Sequence, residues 1–435
     1  MLKRKIVDDL KKWYESDRCK VPILCGARQV GKTTAVREFA RGCYKHFVEV
    51  NFVKYPDAKL AFDGDLSTRT IVMSLSAMGF GPFVEGETLL FLDEIQECPR
   101  ARTAIKFLAE EHVYDYIESG SMLGINYKPV PSYPVGYEEE SMVYPMDFEE
   151  FLWAKGVPAD VYDEVRKCYE AMRPVPELIH QQLSRCYREY LVVGGMPEVV
   201  QTFVKENDFG KVVRVQQSIM ATYRSDITQY AGRQAPLVKR VFDAIPSELG
   251  KQDKRFILAD IEKGASLRKY EDPTQWLADA GLVYYSFNTT SFELPFEATE
   301  NRRLYKLYMV DTGLLCSKLL NGLQFKVMNG DLEVNEGALT ENYVACALRA
   351  DGTSLHYYDK KSKLELDFVV PDEGGITIVE VKSGNNYKSH ASLDNARVNN
   401  ALHICRCIVL SKFNLEVGDG VFYLPLYMAP MIIGG

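Results

Sequence analysis

Residues 21–40 read VPILCGARQVGKTTAVREFA, and this stretch decides the fold of the first part of the chain. A short apolar run from Ile23 to Cys25 predicts a strand, and the residues from Lys32 onward predict a helix. The loop between them fits the pattern G-x-x-x-x-G-K-[ST], with its glycines at 26 and 31. Glycine at these two places lets the backbone curl so that successive N–H groups converge. The stretch therefore predicts a phosphate-binding loop.

Different residues of this loop should bind different parts of a nucleoside triphosphate. Lys32 should reach the β- and γ-phosphates, and the Thr33 hydroxyl should ligate Mg²⁺, while Thr34 lies near the α-phosphate by position. The N-terminus of the helix adds partial positive charge. We therefore predict ATP and Mg²⁺ as ligands. Nucleotide binding is assigned to nine consecutive residues: Gly26, Ala27, Arg28, Gln29, Val30, Gly31, Lys32, Thr33 and Thr34.

A second segment, TLLFLDEIQECP at residues 88–99, completes the predicted site. Its four apolar residues at 89–92 predict a buried parallel strand that ends at Asp93. Asp93 is the predicted carboxylate on the metal side. Glu94 beside it is placed to polarise a water for attack on the γ-phosphate, so Lys32 and Glu94 are the predicted catalytic residues. The alternative makes Glu94 a surface carboxylate that caps the next helix.

Two further strands fit the same sheet. FVEVNF at residues 47–52 lies between the loop and Asp93, and YDYIESG at residues 114–120 follows a predicted helix. The second of these strands would deliver Ser119 or Ser121 beside the γ-phosphate, and we assign this position to Ser121. A serine at a strand end is also an ordinary cap, and that alternative stays open.

The composition limits what the whole chain can be. Its 435 residues predict roughly two to four domains, and 46% hydrophobic with 26% charged residues exclude global disorder. The net charge of −8 gives no general attraction to nucleic acid, so any such binding must be local. Ten scattered cysteines, without a secretion signal or a long apolar run, predict a cytoplasmic protein with no membrane partner. Cys405 and Cys407 form a close pair, but no second pair with ligand spacing accompanies them.

The middle of the chain predicts helices and a locally basic region. Residues 132–141 mix proline, glycine and acids and predict a loop, and the segment to about residue 230 is mostly helical in pattern. Residues 237–288 then give three helices and an apolar strand, which is the order of a winged helix. Between residues 233 and 270 there are nine Lys or Arg and five Asp or Glu, the reversal of sign that DNA contact would require. The alternative is a spacer or protein-binding domain with a solvated basic face.

The last third of the chain offers a second chemistry. GALTENYVACAL predicts a helix, and SLHYYD, LELDFVVP and GITIVEVKSG predict three strands. Asp367 lies in one strand, and Glu380 and Lys382 alternate in the next, so both point to one face. This arrangement resembles the restriction-endonuclease-like, or PD-(D/E)xK, core, in which two carboxylates hold Mg²⁺ and the lysine acts on the attacking water. Glu341 on the helix could supply a further acid, whereas an ordinary Glu–Lys pair on a solvated sheet is the alternative.

Taken together, the motifs resemble a known family along nearly the whole chain: bacterial and archaeal ATPases of the AAA superfamily fused to a C-terminal domain of unknown function. The resemblance rests on motifs that occur here in the order of the family: GARQVGKTT at 26–34, FLDEIQECP at 91–99, SGS at 119–121, YPMDFEEFL at 144–152, YLVVGGMPEVV at 190–200, YKLYMVDTGLL at 305–315, and ELDFVV with IVEVKSG between 365 and 384.

The resemblance implies further roles. In AAA-type proteins a polar residue at the strand end that holds Ser121 reads the phosphate state. In this family and its signalling relatives a Gly-x-Pro step in the helical lid lies near the adenine, and Gly195, Met196 and Pro197 fit that step, which assigns Pro197 to nucleotide binding. No arginine finger can be placed from the sequence, because four arginines are candidates with no decisive context: Arg28, Arg100, Arg224 and Arg233.

The predicted fold class is α/β, with four parts. A parallel-sheet P-loop core of the AAA type spans 1–150, a helical lid spans 151–232, a winged-helix-like region spans 233–300, and a restriction-endonuclease-like α/β domain spans 301–435. The leading hypothesis is an ATP hydrolase whose nucleotide state controls the C-terminal module, with DNA as its partner. One alternative is a regulatory scaffold that binds a protein partner or itself without nuclease activity, and a third is a metal-dependent nuclease gated by ATP.

Overall fold

The structure is a computed structural model that describes residues 2–122, 130–320, 327–328, 336–360, 364–398 and 404–433. The chain divides into two units, each with its own sheet. The first unit comprises residues 1–144 with 279–281, and the second comprises residues 145–278 with 282–435.

The sheet of the first unit has five strands, and every pairing in it is parallel. The strands are Val21–Gly26 (β1), His46–Asn51 (β2), Thr88–Asp93 (β3), Asp115–Ser121 (β4) and Glu138–Met142 (β5), in the order β2-β3-β4-β1-β5. The predicted strands β1 to β4 are therefore confirmed, as is the parallel α/β class. The loop predicted for residues 132–141 is wrong at its end, because Glu138 begins β5, whose backbone pairs with β1 at the edge of the sheet. Glu139 and Glu140 are exposed there, and Glu138 pairs with Arg102.

The helices of the first unit bury apolar stripes in the core of that unit. They are Lys5–Glu15 (α1), Lys32–Cys43 (α2), Thr68–Ala77 (α3) and Pro99–Glu111 (α4). Ile71 and Leu75 of α3 and Ile105 of α4 pack in one cluster with Leu90 and Leu92 of β3, all of them fully buried. An unbroken apolar strand is stable in this place because both of its faces are covered.

The second unit begins with a run of helices. Its helices are Phe148–Ala154 (α5), Ala159–Glu170 (α6), Glu177–Val193 (α7), Pro197–Glu206 (α8), Phe209–Tyr230 (α9), Ala235–Leu249 (α10), Leu258–Ile261 (α11), Leu267–Asp279 (α12), Thr312–Leu320 (α13), Glu336–Ala350 (α14) and Ala391–Val398 (α15). Helix α5 starts at a capping box, in which Asp147 accepts the N–H of Glu150 at 2.8 Å and Glu150 accepts the N–H of Asp147 at 3.1 Å. The cap explains the acids of the YPMDFEEFL motif structurally.

The sheet of the second unit has eight strands. They are Val283–Thr289 (β6), Glu300–Met309 (β7), Leu355–Asp359 (β8), Glu365–Asp372 (β9), Gly375–Lys382 (β10), Ile404–Ser411 (β11), Glu416–Gly418 (β12) and Val421–Pro425 (β13), in the order β12-β13-β11-β10-β9-β8-β6-β7. The helix and three strands predicted for the last third of the chain are confirmed as α14 and β8 to β10. The predicted boundary between residues 300 and 301 falls at the start of β7, which pairs with β6 in this sheet.

The GGMP motif joins two helices of the second unit. The buried carboxylate of Asp311 accepts the N–H of Gly195 at 2.6 Å and the N–H of Leu314 at 2.8 Å. A Cβ on Gly194 would overlap the Asp311 carboxylate, and one on Gly195 would overlap the carbonyl of Met146. The two glycines are therefore required by close backbone approach, and Pro197 in the first turn of α8 suits its fixed φ.

We expect Gly195→Ala to lower the free energy of unfolding of the second unit by about 1–3 kcal/mol, because the added methyl group forces the backbone of the 146–195 contact apart. Urea unfolding followed by tryptophan fluorescence checks this, since Trp153 and Trp276 lie in the second unit and only Trp13 lies in the first. Gly384→Ala is the matched control, because nothing lies within 4 Å of a Cβ there. Equal stability of the two variants would contradict the packing argument.

Candidate functional site

The loop after β1 has the backbone conformation that phosphate binding requires. Gly26 ends β1 with φ 155°, and a Cβ there would overlap the carbonyl oxygen of Val143. Gly31 lies at the start of α2 with φ 95°, a conformation that side chains disfavour. Ala27 and Val30 are buried and fix the loop to the core. The intervening backbone curls before a helix N-terminus, as the sequence predicts.

The side chain of Lys32 forms hydrogen bonds with this loop. Its Nζ donates to the carbonyl oxygens of Gly26 at 3.0 Å and Ala27 at 2.8 Å. Burial lowers the pKa of Lys32 from 10.5 to about 8, although the negative charges of Glu94 and Asp93 oppose this shift. The ammonium group is therefore held at the loop by carbonyl groups that are weaker partners than a triphosphate.

Asp93 is the centre of the site. Its side chain is buried, and the Thr33 hydroxyl donates to its two oxygens at 3.3 and 3.2 Å. Asn51 Nδ2 donates to Asp93 Oδ2 at 2.7 Å, and the Ser119 hydroxyl donates to Oδ1. Asn51, Asp93 and Ser119 stand side by side in register on β2, β3 and β4. The carboxyl edge of the parallel sheet thus gathers one carboxylate and three polar partners beside α2.

The backbone changes direction at Glu94, directly after the end of β3. Its backbone is left-handed, with φ 56°, which is strained for a residue with a side chain. Gln96 Nε2 donates to Glu94 Oε2 at 2.5 Å, and the N–H of Glu94 donates to Asp93 Oδ1 at 3.1 Å. The strained residue begins a 3₁₀ turn rather than a longer helix, and the carboxylates of Glu94 and Asp93 both act on the ammonium group of Lys32.

The structure separates the two serine candidates. Ser119 reaches Asp93, whereas Ser121 is buried two residues further along β4 and pairs in register with Gly26 of β1. Thr34 is exposed on α2. Sequence reasoning missed Asn51 and Gln96. Asn51 has a signal in the sequence, since it is the polar residue at the end of the FVEVNF strand.

The four residues predicted for the nuclease-like site lie close together in the second unit. Lys382 Nζ donates to Glu380 Oε1 at 2.8 Å, and Asp367 Oδ2 accepts the N–H of Val381 at 2.9 Å. Burial raises the pKa of Glu380 to about 7, with the charge of Asp367 acting in the same direction. Glu341 on α14 lies in the same cluster through a lysine that the sequence analysis did not single out, Lys306 of β7.

Lys306 and Lys254 surround Glu341. Lys306 Nζ lies 3.1 Å from Glu341 Oε1, and Lys254 pairs with Oε2. The hydroxyl of Tyr308 donates to Glu341 Oε1 at 2.5 Å. Burial alone would raise the pKa of Glu341, but the two ammonium charges and these hydrogen bonds lower it to about 2. The sequence shows Lys306 only as one charged residue in the apolar strand YKLYMV.

The structure also places the close cysteine pair and two of the arginine finger candidates. Cys405 is exposed and Cys407 is buried on β11, and all ten cysteines are free. Within the described ranges, no group of three or more His, Cys, Asp or Glu is arranged to hold a metal. Among the arginine finger candidates, Arg100 donates to the carbonyl of Phe62 and Arg224 pairs with Asp243. No helix in the described part of the chain is long and apolar enough to cross a bilayer.

Comparison with protein families assigns a domain to the part of the chain that contains the first of these sites. Residues 18–152 match the model of the AAA domain family, which covers the loop at 26–34 and Asp93. These residues form an AAA-type ATPase domain. Two further models match later parts of the chain, both described as domains of unknown function: DUF8612 at residues 184–324 and DUF4143 at residues 336–429. No curated protein sequence matches this chain.

Solved structures resemble the chain only loosely. The Walker-type ATPase PABY2304 of Pyrococcus abyssi has 14% identity and a TM-score of 0.45, with 73% of this chain and 96% of that chain covered. The Orc1 protein of Aeropyrum pernix in complex with DNA has 15% identity and a TM-score of 0.26, with coverage of 73% and 91%. The RuvB Holliday junction branch migration motor of Thermotoga maritima has 14% identity and a TM-score of 0.30, with coverage of 65% and 89%. The assignment of an AAA-type ATPase domain therefore rests on the family model, the loop and the sheet.

The lowered pKa of Lys32 predicts that ATP binding by the AAA-type domain weakens above pH 8. Only the protonated ammonium attracts phosphate, so the Kd for ATP should stay level from pH 6.5 to 7.5 and then rise by up to about tenfold per pH unit. Fluorescence titration with a labelled ATP measures this. Lys32→Arg is the control, because a guanidinium stays charged throughout and its slope should be flat. A parent affinity that is level from pH 7 to 9.5 would contradict the shift.

Proposed function

We propose that this protein hydrolyses ATP with Mg²⁺ and that its nucleotide state controls the C-terminal module. The observation that supports this most directly is the contact of Thr33 with Asp93 at 3.2–3.3 Å, with the backbone N–H of Glu94 on the same carboxylate at 3.1 Å. A hydroxyl and a carboxylate are the hard oxygen donors that Mg²⁺ prefers, so these residues fit the ion. Thr33 would hold it directly and Asp93 would hold it from the end of β3.

Each side chain then has one task in the reaction. Lys32 exchanges its two carbonyl partners for phosphate oxygens, and the backbone of residues 26–31 donates N–H groups to the same phosphates. Glu94 orients a water and accepts its proton as that water attacks the γ-phosphate. Mg²⁺, when bound, neutralises phosphate charge. Ser119, on Asp93, and Asn51 keep the carboxylate oriented, and we keep Ser121 and Pro197 as proposed contacts of the nucleotide.

The module that responds to the nucleotide is proposed to contain a winged-helix-like region and a restriction-endonuclease-like core. Helices α10 to α12 followed by β6 support the first, and α14 with β8 to β10 support the second. Duplex DNA is the partner that we propose for the basic segment 233–270. Four of its nine basic side chains form no ion pair with a described residue, and these are Arg233, Lys239, Lys263 and Arg268.

A second candidate is a regulatory scaffold that binds a protein partner or another copy of itself. The observation that favours it is that the other five basic residues of the same segment are paired with carboxylates, which reduces the field available to phosphates: Arg240, Lys251, Lys254, Arg255 and Lys269. Under either candidate we propose a cytoplasmic location, because ten free cysteines suit a reducing compartment.

Glu94→Gln should lower the kcat for ATP hydrolysis by at least about 100-fold while the Kd for ATP changes by less than about threefold, since an amide cannot accept the proton of the water. Steady-state phosphate release and nucleotide titration measure the two quantities. The matched control is Glu85→Gln, an exposed glutamate of the same unit, which should leave both unchanged. Full turnover by Glu94→Gln would leave the proposed base without support.

Duplex DNA should stimulate ATP hydrolysis, and Lys263→Glu with Arg268→Glu should remove the stimulation without changing the rate in the absence of DNA. Loss of two phosphate contacts should also reduce the slope of log affinity against log salt by about 2. The control is the exposed pair Lys205→Glu with Arg214→Glu, which makes the same change of charge outside the segment. Turnover that does not respond to DNA at two salt concentrations would favour the scaffold.

A further inference from the structure

Lys306 lies inside the set of carboxylates that the sequence assigns to a metal. The side chain has no exposure to solvent. Its Nζ lies 3.1 Å from Glu341 Oε1, 3.4 Å from Glu365 Oε1 and 4.0 Å from Asp367 Oδ1. The ammonium group also lies 5.0 Å from the ring centre of Tyr357. A buried cation surrounded by three carboxylates and an aromatic face occupies the electrostatic position of a metal ion.

The remaining carboxylate oxygens of the cluster are mostly occupied by donors of the protein itself. Lys254 and Tyr308 complete the coordination of Glu341. Asp367 Oδ2 accepts a backbone N–H at 2.9 Å, and Glu380 Oε1 accepts Lys382 Nζ at 2.8 Å. Glu380 Oε2 is the buried oxygen of this set with no partner among the described residues. A divalent ion in the cluster would have to displace Lys306, because Glu365 Oε1 and Asp367 Oδ1 both lie within 4.0 Å of its ammonium group.

The charges of the cluster support the same conclusion. Three ammonium groups, of Lys254, Lys306 and Lys382, face the four carboxylates of Glu341, Glu365, Asp367 and Glu380, so at most one net negative charge remains. A divalent ion that entered the cluster would be repelled by Lys306 from a few ångströms, and this repulsion is large at the reduced effective dielectric constant of a protein. The residues therefore do not fit the metal that a restriction-endonuclease-like fold implies.

We propose that Lys306 is the resident cation of this site, so that the C-terminal domain binds no divalent metal there and does not cleave phosphodiester bonds. The carboxylates of α14 and β9 instead hold these two elements to β7 around one ammonium group, and Asp367 also bonds to the backbone of β10. The proposal concerns the second unit and does not depend on ATP hydrolysis. Under this proposal the cluster stabilises the fold of the C-terminal domain and takes no part in metal-dependent chemistry.

The test is Mn²⁺ binding by calorimetry, without nucleotide, in an Asp93→Ala background that removes the metal carboxylate of the ATP site. The parent in this background should show no saturable binding below about 1 mM. Adding Lys306→Met leaves the carboxylates without their cation, and this variant should gain affinity for Mn²⁺ by at least about 100-fold, since close charges of the same sign interact by several factors of ten at an effective dielectric constant near 20. Asp367→Asn should abolish the gained binding.

Two controls distinguish the loss of the Lys306 charge from a general effect of the substitution. Lys306→Arg retains the cation and should gain no affinity, and the ATPase rate with intact Asp93 should be equal in the parent and in Lys306→Met. Saturable Mn²⁺ binding by the parent that Asp367→Asn removes, or Mg²⁺-dependent nicking of plasmid DNA that Asp367→Ala removes, would overturn the proposal even where Lys306→Met does not fold. A folded Lys306→Met that binds no Mn²⁺ would also overturn the role of Lys306. None of these three results bears on Glu94 or on ATP turnover.

Discussion

The hydrogen bonds on the Asp93 carboxylate are the constraint on which the first unit depends. Asn51 and Ser119 are one strand away on either side in register with Asp93, and Thr33 contacts it from the first turn of α2. A buried carboxylate is tolerated only when donors surround it. The register of three strands and the start of the helix are therefore tied to one group. The same group is the one that a metal-bound phosphate would meet, so the stability of the sheet edge and the geometry of the site have a common origin.

Local signals explain why much of this site could be predicted. The loop at 26–31 is defined by glycines whose conformations are required by the turn itself, and Asp93 ends an apolar run that has to be a buried strand. Neither inference needs a contact between distant residues. The choice between Ser119 and Ser121 does need one. Both serines face the same side of β4, and only the register with β3 decides that Ser119 stands opposite Asp93, which residue spacing along one strand cannot show.

In the second unit, too, contacts between distant residues could not be predicted from local sequence patterns. The helix and strands that carry Glu341, Asp367, Glu380 and Lys382 follow from patterns of apolar residues, and the structure brings the four side chains together. Lys306 could not be found in this way, because a lysine in an apolar strand has no local signature of its partners. Its role depends on three carboxylates from α14 and β9, which lie 35 to 61 residues further along the chain. Pairing of charges is a property of the folded domain.

The two polar sites of the chain differ in how their charge is balanced, and this difference separates their chemistry. At the AAA-type loop, Lys32 is held by two carbonyl oxygens that carry no net charge, so a triphosphate offers it a much stronger partner. In the carboxylate cluster of the second unit, Lys254, Lys306 and Lys382 each already pair with a carboxylate. Replacing such an internal pair by an external ion requires breaking it in a buried environment, where an uncompensated charge is costly. Lys32 can therefore exchange neutral partners for a charged ligand, whereas a ligand of the second site would have to break ion pairs, and the sequence motifs alone do not distinguish the two conditions.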